Sequence, residues 1–187
     1  MTSESVAETI INTADRLYYE RGITAVGMAE LRDAAGVSLR RLYSEFPAKD
    51  AIVRAVLEKR HRQWSDGVEA RMAEAGTPRE RLLAVYDYLA DWFCEDGFRG
   101  CGFINAFGEL GGEDAEVRRI VREHKESFQR RLAEIVDDLG APMLLAAQLA
   151  LLAEGAQTTA AIAGSGEAAG QARAAAEVLI DHALSAA

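Results

Sequence analysis

Pro47, Pro78 and Pro142 are the only prolines in 187 residues, and the long intervals between them are rich in alanine, leucine, glutamate and arginine. Proline lacks an amide hydrogen and clashes with the preceding helical turn, so long proline-poor stretches of good helix formers favour helix over strand. The chain is therefore expected to be all-α, with nine helices. Its 49% apolar content is enough to bury one sizeable core, or a small domain beside a larger one.

Local start and stop signals place those helices. Ser5 and Glu8 form a capping box, and Val6, Ile10, Ala14, Leu17 and Tyr18 then recur at helical spacing until Gly22. Residues 28–35 make a compact second helix, Gly36 is the turn, and Ser38 caps a third helix of about two turns. Phe46 precedes proline and is pushed toward extended backbone, so the third helix stops there. A fourth begins at about Ala48 and runs to residue 75, spanning about 40 Å, with Gly67 as its one interior weak point. Thr77, Pro78 and Glu80 open a fifth helix over 78–95. The glycine-rich DGFRGCGFINAFGELGGED permits one short helix near 101–109. A seventh covers 114–139, an eighth follows Pro142 as far as AGSGEAAG, and the last fills 169–185.

Charge narrows the function. The net charge of -9 argues against nucleic acid until its distribution is considered. Residues 1–60 hold nine basic and nine acidic side chains, so all the excess acid lies after residue 60. Any contact with a phosphate backbone is expected near the N-terminus. No charged and apolar leader opens the chain and no apolar run approaches the roughly 20 residues of a membrane span, so a cytoplasmic protein without a membrane partner is expected. Cys94 and Cys101 read as structural thiols. Glu58 and His61 have a spacing used in helical di-iron proteins, but Val121 and Leu179 stand where a second copy would need glutamate, so no metal and no cofactor are expected. No nucleophile-base constellation or phosphate loop suggests an enzyme, and no catalytic residue is assigned.

The two short helices joined through Ala35, Gly36, Val37 and Ser38 form a helix-turn-helix pattern. Leu42 and Phe46, four apart, face inward with Val37, leaving Arg40, Arg41 and Ser44 outward. Arginine suits guanine edges or phosphate, Tyr43 and Lys49 suit backbone phosphates, Leu39 suits a thymine methyl, and Ser38 stands at the head of the same helix. These seven are the candidate DNA-binding residues.

The segments IINTADRLYYERG (10–22), MAELRDAAGVS (28–38) and LYSEFPAKDAIVRAVL (42–57) together resemble the DNA-binding domain of TetR-family transcriptional repressors. RGCGFINAFGEL (99–110) is similar to a stretch common in one large branch of that family. The resemblance implies a DNA-binding domain over 1–47 and a ligand-binding and dimerisation domain over 48–187, with helix 48–75 connecting them. It also implies a homodimer that binds palindromic operator DNA and is released by a small effector. The chain departs from the family pattern at Gly27, where serine or threonine is usual, at Leu39, Arg40 and Arg41, and at Glu45, where histidine is common.

Apolar and aromatic residues on helices four to seven then become effector candidates: Trp64, Tyr86, Phe93, Phe103, Phe107 and Phe128. Asn105, Glu154 and Gln157 join them as polar groups in apolar surroundings. The family's pairing of C-terminal helices makes Leu144, Leu151 and Gly155, then Ala176, Leu179, Ile180 and Ala183, the candidate dimer interface. The reading that competes with a repressor is a helical small-molecule-binding protein of the same fold that has lost operator recognition.

Overall fold

The structure is a computed structural model and describes residues 5–185. Those residues form nine helices, in two compact units. One unit contains the chain up to Arg62 together with Gly102–Val121, and the other contains Gln63–Cys101 and the chain from Arg122 onward.

In the first unit α1 (Val6–Arg21) opens with the expected capping box, Ser5 accepting from the Glu8 amide while Glu8 accepts from that of Ser5. It buries Ile10, Ala14, Leu17 and Tyr18 and packs against α2 (Met28–Ala35) and α3 (Leu39–Glu45). Gly36 adopts the left-handed conformation at φ 65°. Its amide bonds to the Asp33 carbonyl and that of Val37 to Arg32, the paired closure that satisfies the last carbonyls of a helix. Leu31 and Leu42 are the fully buried anchors of the two short helices. Phe46 is extended, as its place before Pro47 demands, and α4 (Lys49–Ala73) follows. The short α6 (Gly102–Leu110) also belongs here.

In the second unit α5 (Pro78–Phe93), α8 (Leu144–Ala163) and α9 (Glu167–Ser185) pack on one another, with the later turns of α7 (Ala115–Asp138) alongside. Thr77 and Glu80 close the second expected capping box. Leu82, Leu89, Leu132, Ile135, Leu149 and Ile180 fill the core, and the buried Tyr86 hydroxyl donates to the Leu149 carbonyl at 2.8 Å. Gly67 has a packing reason: a Cβ there would lie 2.6 Å from the Tyr88 ring, so glycine admits the aromatic edge. The last helix begins at Glu167, two residues earlier than the sequence suggests, because Gly164 in the left-handed region ends α8 and the Ser165 hydroxyl accepts from the Glu167 amide.

Candidate nucleic-acid interface

The third helix has one inward anchor and an open outer surface. The Ser38 hydroxyl oxygen accepts from the Arg41 amide and so starts the helix, Leu42 is completely buried, and Phe46 and Val37 are half-buried beside it. Leu39, Arg40, Arg41, Tyr43 and Ser44 are all exposed. Leu39 and Tyr43 remain 43% and 46% exposed on that outer surface. The Ser44 hydroxyl donates back to the Arg41 carbonyl at 2.8 Å, leaving its lone pairs outward.

The two arginines differ. Arg41 pairs with Glu45, one turn on, at 2.8 Å, whereas among the described residues no carboxylate pairs with Arg40. Lys49, expected to hold a phosphate, is engaged within its own unit. Its ammonium donates to the Ile23 carbonyl at 2.5 Å and lies 5.8 Å from the Tyr18 ring centroid. Burial lowers its pKa, against the opposing pull of Glu109 and Asp50. Gly27 provides no side-chain cap for α2, as its identity requires.

Two polar groupings of this unit escaped the sequence reading. Asp15, on the buried face of α1, accepts from Lys59 at 2.8 Å and from Arg60, whose guanidinium also lies 4.0 Å over the Tyr19 ring. The signal was a carboxylate between Ala14 and Leu17 on an apolar stripe, which needs a cation to be tolerated. Glu109, at the end of α6, accepts from the amides of Ile23 and Thr24 and from the Thr24 hydroxyl.

The effector candidates fall in both units. In the second, Trp64 meets Phe128 edge-on at 5.7 Å, with Tyr88, Trp92 and His124 completing its surroundings at 5.2, 5.5 and 6.3 Å. Phe93 packs at a tilt against Trp92 and Phe98, while Tyr86 is committed to the core. Glu154 pairs with Lys125 at 2.5 Å, and the buried Gln157 donates to the Ala153 carbonyl of its own helix. Phe103, Asn105 and Phe107 lie in the first unit: Phe103 buried, Phe107 half exposed, and Asn105 on the rim of a cavity lined also by Tyr18, Arg60 and Glu109.

The proposed interface residues divide as well. Leu144, Leu151 and Gly155 lie exposed along α8, and Ile162 and Val178, unlisted in the sequence reading, are 83% and 68% exposed. Ala176 and Ile180 are fully buried inside their own unit, with Leu179 and Ala183 half-buried against the same core. Ala176 and Ile180 are therefore corrected from interface to core: the small-residue stripe of α9 is its inward face.

Residues 10–56 match the sequence model of the family described as bacterial regulatory proteins, tetR family. A helix-turn-helix transcriptional regulator of Mycobacterium tuberculosis is 32% identical over 130 residues, 70% of this chain and 64% of that protein. The transcriptional repressor NemR of Escherichia coli K12 is 28% identical over 63% of this chain and 60% of its own length. The chain thus spans less than two thirds of either relative. Among solved structures, a TetR-family regulator of Streptomyces coelicolor superposes with a TM-score of 0.91 at 25% identity, covering 97% of this chain and 92% of that one. A second, from Streptomyces avermitilis, gives 0.82 at 28% identity over 96% and 98%.

Proposed function

We propose a ligand-responsive repressor's role for this chain, which belongs to the TetR family of transcriptional regulators. Two copies bind palindromic operator DNA, each inserting α3 into one of two successive major grooves about 34 Å apart. Ser38, Leu39, Arg40, Arg41, Tyr43 and Ser44 meet the DNA. The observation that carries the reading is the division of α3 between Leu42, wholly buried, and an outer surface on which arginine, tyrosine and leucine stand exposed together.

A small apolar or aromatic effector, received among the aromatic side chains of the second unit around Trp64 and Phe128, releases the operator. It acts only through different affinities for the DNA-competent and DNA-incompetent states. Leu144 and Leu151, exposed seven residues apart on one face of α8 with Gly155 between them and Ile162, support self-association, since a continuous apolar stripe marks an interaction surface.

A second reading has one observation in its favour. Glu45 sits on the outer surface of α3 and neutralises Arg41, which suits a protein that has lost operator recognition. Selection from a genomic fragment library at several salt concentrations separates the two. A repressor enriches a palindromic sequence with an affinity that falls steeply with salt, and enrichment of no sequence by properly dimeric protein overturns the proposal.

A further inference from the structure

We propose that Glu109 is a positioning residue for DNA recognition: from α6 it fixes the turn between α1 and α2, and with it the helix pair that presents the outer surface of α3. The inference rests on the DNA-binding role proposed above and adds the group that sets the attitude of the reading helix.

The Gly22 amide still bonds to the Tyr18 carbonyl of α1, but Ile23 and Thr24 have left α1 and not yet entered α2, so their amides lack helical acceptors. Glu109, 86 residues from Ile23 in sequence, supplies them. Its Oε1 accepts from the Ile23 amide at 2.9 Å, and its Oε2 from the Thr24 amide at 2.8 Å and the Thr24 hydroxyl at 2.9 Å. One carboxylate thus gathers three donors from two consecutive residues, and its charge makes each bond stronger than one between neutral groups. Gly22 makes room for it. A Cβ there would lie 3.1 Å from the carboxylate, and φ of +89° is a conformation that side chains resist. On the turn's other side the Ile23 carbonyl is held by Lys49.

Apolar packing at the same place is incomplete. A cavity of about 30 Å³, lined by Tyr18, Val53, Leu57, Asn105, Ala106 and Glu109 among others, lies against this seam. The buried Tyr18 hydroxyl has no hydrogen-bond partner among the described residues. Close-packed side chains resist displacement, and a void beside an orphaned hydroxyl weakens that resistance on this side of the turn. Buried Ile23 and Val26 anchor the turn by packing, and the polar clamp fixes its backbone. Because α2 begins four residues beyond Thr24 and its C-terminal turn leads directly into α3, an error in the turn passes to the reading helix.

The experiment compares wild type, Glu109→Gln and Glu109→Ala by amide hydrogen exchange and by binding to the selected operator, built with its half-sites at the native spacing and at one and two base pairs more or less. Glu109→Ala is expected to accelerate exchange at Ile23 and Thr24 roughly tenfold or more. It should weaken the native-spacing operator by about the same factor and flatten the preference for that spacing, with helix content and dimer state unchanged. Glu109→Gln, which keeps one carbonyl acceptor, should fall between. Unchanged exchange at Ile23 and Thr24 overturns the clamp. Equal weakening at every spacing, matching the fraction unfolded, overturns positioning in favour of plain stability. If wild type selects no operator, the repressor reading fails, and exchange along 28–45 decides the clamp: acceleration there in Glu109→Ala supports it and its absence refutes it.

Discussion

Arg41 and Glu45 lie one turn apart on the exposed side of α3 and form an ion pair at 2.8 Å, on a helix whose other arginine, Arg40, has no acidic partner among the described residues. An exposed pair at this spacing contributes only about 0.3–0.5 kcal/mol to the helix, so its meaning lies in what it does to the surface. It cancels one positive charge where phosphate would sit. Glu45→Gln is therefore expected to tighten operator binding several-fold and to steepen the salt dependence by about one phosphate contact, read as the slope of log K against log salt.

The same asymmetry ranks the arginines. Arg40→Ala should weaken operator binding by about 1–3 kcal/mol and relax sequence preference at one base pair if its guanidinium is bidentate to a base. Arg41→Ala should cost less, because its charge is already shared with Glu45. Fluorescence anisotropy against the selected operator and its single-base variants checks both, and equal losses would refute the ranking.

Gly67 ties helix sequence to packing. Alanine normally gains about 0.5–1 kcal/mol over glycine within a helix, but here its Cβ meets the Tyr88 ring at 2.6 Å, and that ring is already held edge-on to Trp64. Gly67→Ala is expected to lower stability by about 1–2 kcal/mol in urea unfolding, the overpacking cost exceeding the helical gain. A variant more stable than wild type would show that Tyr88 moves aside freely.

Stability in acid should depend on Glu109. Burial pushes its carboxyl up, but the amides of Thr24 and Ile23, the Thr24 hydroxyl and the Lys49 ammonium outweigh that and hold it below its ordinary 4.5. A carboxylate depressed in the folded state contributes stability that is complete above the unfolded value and is lost as pH falls through the folded one. Between about pH 5 and pH 3 the wild type should thus lose stability more steeply than Glu109→Gln, measured by urea midpoints across that range.

Local signals in the sequence carried most of the fold. Ser5 with Glu8, Thr77 with Glu80, and Phe46 before Pro47 act within four residues, so the helix boundaries they set were legible and lie where expected. Leu42 as an inward anchor of α3 followed from helical spacing in the same way, while Phe46 and Val37, read as inward with it, are half-buried. Long-range pairings were not legible. Nothing local to Glu109 reveals that it meets Thr24, and nothing local to Lys49 reveals that Ile23 claims its ammonium. In α9 Ala176 and Ile180 do lie on an apolar face, but the resemblance that put that face in a dimer interface does not say which neighbour covers it, and here the cover is the unit's own core.

That distinction yields a paired test on α8 and α9. Leu151 is 71% exposed and Ile180 wholly buried, though both were read as interface. If two copies associate through the outer face of α8, Leu151→Glu should produce a folded monomer, because burying an unpaired carboxylate opposes association while the monomer's own core is untouched. Ile180→Ala should do the reverse, lowering stability by about 2–5 kcal/mol through the cavity it leaves while the assembly state of the folded fraction stays the same. Sedimentation velocity and urea unfolding on the two variants separate these effects. A dimeric Leu151→Glu would refute an interface through this face of α8, on which Ile162, about three turns further along, also stands exposed.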